Sequence, residues 1–290
     1  MEKNLGIKWY QTIDSTNSQA NRELADAPHG SVWVADFQTA GRGQRGNKWE
    51  SKAAENLTFT ILFRPTFLHP SQQFLISQIA SLGVLRYLNS KGLEAKIKWP
   101  NDIYIGNRKI CGMLIENSIS ADKMSASIVG IGLNLNQREF SSDAPNPTSL
   151  LLETDIPDNS CHTPGKSGDA GDSGTSGDSG NVVPLQKSYN RREELSTLLG
   201  YIFTAYSELE EGCAQELRQE YLANLYRLGE WHQFIEIETN APADMPVEKM
   251  AAGRTITARI TGVDPYGCVI LEHQDGTVQI YPFKGIRYIL

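Results

Sequence analysis

Residues 36–49 read D-F-Q-T-A-G-R-G-Q-R-G-N-K-W, and the runs on either side limit the possible folds more than any other stretch. Gly41, Gly43 and Gly46 stand at G-x-G-x-x-G spacing. Before them, Val32 and Val34 alternate with Trp33 and Ala35 as in a strand; after them, Leu57–Phe63 is a second strand-like run. A dinucleotide-binding fold needs a helix directly after such glycines and an acid about 20 residues further on. Here a polar stretch and a strand follow, and no acid stands near residue 65, so a nicotinamide-dependent dehydrogenase is excluded. A cationic loop between two strands remains, folding over an anionic ligand. Arg42 and Arg45 supply planar, forked donors suited to phosphate or carboxylate. An ordinary solvated hairpin loop fits the same residues.

Upstream, Trp9–Ile13 reads as a strand, and Asp14, Ser15 and Thr16 are good N-cap residues for a helix running from Asn17 to Ala27. Downstream, Phe74, Leu75, Ile79, Leu82, Leu85 and Leu88 keep a helical rhythm that ends at Lys91-Gly92. Leu93, Ala95, Ile97 and Trp99 alternate with Glu94, Lys96 and Lys98, so a half-buried strand is predicted, cut off by Pro100. A lone lysine such as Lys98 is ordinarily solvated; at a strand end it can face a pocket instead.

Tyr104–Ile110 predicts a hairpin turning at Asn107, with further strands over Ile110–Glu116 and Ser127–Asn136. Gly112 and Gly132 interrupt apolar runs, as where a ligand or another backbone comes close. Asn134 can cap a strand end or pair with an adenine edge. Trp49 can be core or can stack on an adenine. Arg191–Glu211 and Ala214–Leu228 read as helices, the latter closed by Gly229. From Trp231 onward the pattern is all-β, with a hairpin at Asp275-Gly276.

The 27 basic and 34 acidic side chains give a net charge of −7, which argues against general nucleic-acid or anionic-membrane binding. Cys111, Cys161, Cys213 and Cys268 are scattered without a C-x-x-C pair, as expected of free thiols in a reducing cytoplasm. Met1–Asn4 leads into no apolar secretory segment, and no apolar run approaches the ~20 residues of a membrane span. Glycine recurs at every third position from Gly165 to Gly180, without proline; residues 157–188 are expected to be a flexible acidic insertion.

Ser15-Thr16-Asn17 with Gln38, the Gly41–Trp49 loop, Lys98-Trp99-Pro100-Asn101-Asp102, Lys109–Glu116 and Gly130–Asn136 occur in the order and spacing of the biotin protein ligases. The chain resembles that family from about residue 9 to 150, and more loosely over its last 60 residues. The resemblance implies an α+β fold: a mixed, largely antiparallel sheet with packed helices, of class II synthetase-like type, over residues 1–230. A small SH3-like β-barrel would follow over 231–290. It implies activation of biotin by ATP to biotinyl-5′-AMP, then transfer to a lysine of a biotin carboxyl carrier protein. Arg42, Arg45 and Lys98 would be catalytic. Ser15, Thr16, Asn17, Gln38, Arg42, Gly43, Gln44, Lys98 and Gly112 would contact biotin. Gly41, Arg42, Gly46, Trp49, Lys98 and Asn134 would contact the nucleotide, and Asp102 would help hold Mg²⁺.

The pattern departs from the family at Gln44 and Asn47, where many members carry a basic residue, so looser retention of the adenylate is expected. Ligase-like residues begin at Trp9, which leaves no room for the DNA-binding helix-turn-helix of some members; no DNA binding is expected. The expected state is a cytoplasmic monomer or weak homodimer that does not bind membranes. Two rival readings stand beside this one. Lipoate ligases and octanoyltransferases share the architecture but lack the Lys-Trp-Pro-Asn-Asp element and the loop in this form. A non-enzymatic biotin or nucleotide sensor would have no need of Lys98.

Overall fold

The computed structural model describes residues 6–44, 49–141, 146–154, 188–237 and 253–290. The expected insertion at 157–188, apart from its last residue, lies outside the described residues, as do Arg45, Gly46 and Asn47.

Seven strands form one sheet: β1 (Ile7–Ile13), β2 (Val32–Gln38), β3 (Leu57–Phe63), β4 (Ala95–Lys98), β5 (Asp102–Ile105), β6 (Arg108–Ser120) and β7 (Lys123–Leu133). Their order is β1-β2-β3-β7-β6-β5-β4. Only β1 and β2 are parallel; all other neighbours are antiparallel.

Alternation divides the sheet into two faces. Ile97, Ile103, Cys111, Phe59, Ile61, Ile131 and Leu133 are buried on one of them. Two helices, α2 (Phe74–Ser90) and α4 (Arg191–Glu210), cover that face. α2 is buried on nearly every side because it lies between the sheet and α4. The other face carries Thr58, Thr60, Gly112, Gly130 and Gly132 in register across β3, β7 and β6. α1 (Thr16–Arg22) covers part of it, with Ala20 against Trp33, Leu62 and Ile128. The uncovered remainder is the floor of a cleft.

Two helices end earlier than their sequences suggest. α1 stops at Arg22 rather than reaching Ala27: the next residues form tighter turns, with Leu24 N–H to Asn21 O at 3.3 Å and Asp26 N–H to Glu23 O at 3.1 Å, and the Arg64 guanidinium takes the carbonyls of Leu24 and Ala27 at 2.6 and 2.9 Å. α5 (Ala214–Ala223) stops short of Leu228. β4 is one edge of the sheet, so Ile97 has a strand neighbour on one side only. The Ile97 N–H donates to Asn224 O at 2.9 Å, and Ile97 O accepts from the Tyr226 N–H at 2.8 Å, which draws the chain out of the helix. A short helix, α3 (Leu150–Thr154), lies beside the end of β7.

The last strands, β8 (Trp231–Glu236), β9 (Arg254–Val263), β10 (Val269–His273), β11 (Val278–Tyr281) and β12 (Ile286–Tyr288), make a second, antiparallel sheet in the order β11-β10-β9-β8-β12. Its five short strands suit the SH3-like expectation. Trp99 fastens it to the first sheet: its ring stacks on Phe283 at 5.5 Å and its Nε1 donates to Gly267 O at 2.8 Å. The Trp99–Pro100 peptide is cis, and Pro100 O accepts from the Tyr221 hydroxyl at 2.7 Å. Cys111, Cys213 and Cys268 are free thiols. Among the described residues no helix is long and apolar enough to cross a membrane.

Candidate active site

The uncovered sheet face and the segment after β2 enclose a cleft of about 700 Å³. Its walls differ at the two ends.

One end is polar. Ser15 caps α1, its hydroxyl accepting from the Ser18 N–H at 3.5 Å, and it also lines the cleft; capping and pocket lining coexist. Gln38, at the end of β2, accepts with Oε1 from the Thr16 N–H at 2.8 Å and from Thr16 Oγ1 at 3.2 Å, which leaves its NH₂ for another acceptor. Thr60 Oγ1 lies 2.8 Å from Thr16 Oγ1 and 2.6 Å from Asn17 Oδ1. Asn17 Nδ2 donates to Leu114 O at 3.2 Å and Glu116 Oε2 at 2.8 Å. Ser15, Thr16, Asn17 and Thr60 are all buried, so these hydrogen bonds fix their orientations.

The other end is cationic. Lys98, at the end of β4, is not the solvated lysine of the plainer reading. Its Nζ donates to Tyr104 OH at 3.1 Å and lies 4.9 and 5.0 Å from the ring centroids of Tyr104 and Tyr288. Burial lowers its pKa from the ordinary 10.5 to about 8, against the opposing pull of Asp102. Lys109 Nζ pairs with Asp102 Oδ2 at 2.7 Å. Arg42 Nη2 meets Glu116 Oε2 at 3.0 Å, so Glu116 joins the loop to Asn17 at the polar end. Gly43 and Gln44 line the cleft beside Arg42, and Gly41 closes the base of the loop by accepting the Trp49 N–H at 3.1 Å.

The glycines of the floor are closely covered, but by the protein's own side chains rather than by a second backbone. A Cβ on Gly130 would stand 2.1 Å from Asn17 Oδ1, and one on Gly132 would stand 2.2 Å from Trp49 Cε2. Gly112 lies under Trp49 and Lys109 together. The Trp49 indole thus lies on the sheet, and its buried Nε1 has no hydrogen-bond partner among the described residues. Asn134 is buried, donates with Nδ2 to Thr148 O at 2.9 Å, and still lines the cleft. The buried carboxylate of Glu153 holds this corner through Thr148 Oγ1 and Arg108.

Sequence reasoning gave no site role to Lys109, Glu116, Thr60 or Tyr104. Glu116 and Thr60 could have been found by strand parity, since they alternate with core residues. Lys109 could not. Strict alternation would send it to the core side with Cys111. Ile103 pairs with Cys111 but Tyr104 pairs with Lys109, so one step on β5 spans two on β6. That bulge turns Lys109 to the cleft side.

The mixed sheet carries α2 and α4 on one face, and α1 and the cleft on the other. Residues 9–134 match the Biotin/lipoate A/B protein ligase family. It is 36% identical over 141 residues to the bifunctional ligase/repressor BirA of Bacillus spizizenii, covering 47% of this chain and 42% of that one. It is 38% identical over 125 residues to the biotin–[acetyl-CoA-carboxylase] ligase of Paracoccus denitrificans, covering 42% of this chain and 51% of that one. The chain thus spans about half the length of these curated relatives. In fold it is similar to a biotin protein ligase from Aquifex aeolicus, solved with biotin and ATP. The TM-score is 0.69 and the identity 24%, over 98% of this chain and 99% of that one.

Proposed function

We propose that this protein is an ATP-dependent biotin–protein ligase acting on a biotin carboxyl carrier protein or domain. The observation that carries the reading is the two-ended cleft: a buried hydrogen-bonding end beside Thr16, Asn17 and Gln38, to which Glu116 ties Arg42, and a cationic end at Lys98 and Lys109. A polar ureido ring uses the first, whereas the dithiolane of lipoate has nothing to bond there. A carboxylate and a triphosphate need the second.

In the first step a carboxylate oxygen of biotin attacks the α-phosphorus of ATP and pyrophosphate leaves. Two anions must meet, so fixed positive charge has to offset their repulsion and the charge that grows on the phosphorus oxygens. Lys98 and Lys109 stand on strands, and their hydrogen bonds hold them in place before substrate arrives. Arg42 reaches the cleft from the loop, and a guanidinium has further donors for a ligand beside the Nη2 contact with Glu116. In the second step the carrier lysine amine attacks the acyl carbon, AMP departs and the amine loses a proton. Gly43, Gln44 and Trp49, which line the cleft, help keep water from the mixed anhydride.

The fit to Mg²⁺ rests on one carboxylate. Asp102 lines the cleft, and no group of three His, Cys, Asp or Glu occurs among the described residues. That suits an ion held mainly by substrate phosphates, for which one or two protein carboxylates suffice. When bound it would neutralise phosphate charge, with Asp102 as its protein ligand.

The test is to incubate the protein with ATP, Mg²⁺, a biotin carrier domain and either biotin or lipoate, and to weigh the carrier by mass spectrometry. A biotinyl adduct on one lysine, with pyrophosphate released, is expected. A lipoyl adduct alone would move the assignment to the sister activity. Binding of both ligands without pyrophosphate would mark a sensor.

A further inference from the structure

Lys98 stands on the first sheet, yet part of its surroundings comes from the second. Resting on the ligase reading above, we propose that Tyr288 is a positioning residue for adenylate formation. Its ring face holds the Lys98 ammonium toward the reacting phosphate. The centroid of that ring is 5.0 Å from Lys98 Nζ, within range of a cation–π contact.

The ring is itself fixed. Tyr288 pairs with Phe234 across β12 and β8, and the two rings meet edge-on at 5.1 Å. Tyr226 sits 5.6 Å from Tyr104 and 6.3 Å from Tyr288, which closes a three-tyrosine enclosure. Arg227 Nη1 donates to Ile289 O at 2.8 Å and anchors the next residue. The phenol oxygen of Tyr288 is buried without a hydrogen-bond partner among the described residues. Leaving a hydroxyl so costs stability, so the hydroxyl is not what holds the residue here. The ring is the working part.

A lysine stem is flexible, and this one has somewhere else to go. A second cavity of about 180 Å³, lined by Gln44, Lys284 and Arg287 among others, borders Lys98 and Tyr288. With the ring removed, the stem is no longer held on that side and the ammonium can leave its place beside Tyr104.

The experiment compares Tyr288→Phe and Tyr288→Leu in the full chain. Phenylalanine keeps the ring face and drops only the unpartnered hydroxyl; leucine keeps the apolar filling and drops the ring face. The ring-current displacement of the Lys98 Hε resonances is followed in labelled lysine, assigned with Lys98→Arg. Steady-state kinetics of biotin-dependent pyrophosphate release are recorded beside it. Tyr288→Phe should match the parent in both. Tyr288→Leu should lose the Tyr288 part of that displacement and cut kcat by roughly tenfold while KM for biotin stays. The proposal is overturned if leucine leaves either in place, or if phenylalanine reproduces the loss. Should the parent release no pyrophosphate, the ligase reading fails, and the resonances alone still decide whether the Tyr288 ring faces Lys98.

Discussion

The Trp49 indole lies so close over Gly132 that a Cβ on that glycine would stand 2.2 Å from Cε2. The backbone of β7 and the base of the Gly41–Trp49 loop are therefore fitted to each other. Gly132→Ala is expected to lift the indole and weaken binding of a non-hydrolysable ATP analogue by about tenfold, in line with the cost of overpacking. Calorimetry reads this directly, and an unchanged Kd in the alanine variant would show that the indole is not part of the nucleotide site.

Lys98 sets a pH limit. Its buried ammonium titrates near pH 8 rather than 10.5, and the charged form is the one that meets phosphate. Activity that depends on it is therefore full below that value and is lost as pH rises through it. In the free enzyme, kcat/KM for pyrophosphate release should fall about tenfold per unit well above pH 8. In kcat the limb should lie higher, because bound phosphate stabilises the cation. A profile flat to pH 10 would contradict this assignment. Lys98→Ala should lose about a hundredfold or more in rate.

Glu116 should matter more to binding than to folding. Its pair with Arg42 is partly exposed on both sides, and such pairs contribute at most about 1 kcal/mol. Yet Glu116 also orients Asn17, which is buried at the polar end. Glu116→Ala is expected to leave the urea midpoint almost unchanged while raising the biotin Kd several-fold. Equal changes in both, or a loss of stability alone, would count against a role in orienting Asn17.

Trp99 carries the join between the sheets. Truncating a buried tryptophan typically costs about 3–5 kcal/mol, and here the hydrogen bond to Gly267 goes too. Trp99→Ala should lower the denaturant midpoint sharply. Trp99→Phe should recover most of the loss, since stacking on Phe283 survives. Chemical denaturation of the three forms tests the order.

Much of this was legible in local pattern. The loop between β2 and β3 could not begin a dinucleotide fold, because a strand and not a helix follows it. Alternation over residues 93–99 put Lys98 at a strand end, and the Ser15-Thr16-Asn17 run marked the start of a helix whose cap also faces the cleft. Arg45 and Gly46 were singled out with the loop and lie outside the described residues.

What the amino-acid order determined by itself was the run of elements and the face each strand residue prefers, because period and capping are short-range properties of the backbone. What only the tertiary structure decided was which distant groups meet. A bulge against β5 turned Lys109 toward Asp102, and the free edge of β4 ended α5 early. Trp49, not a second backbone, covered Gly132, and Tyr288 reached Lys98 from 190 positions along the chain. Such contacts depend on how sheets and helices are packed in three dimensions, and no local spacing encodes that.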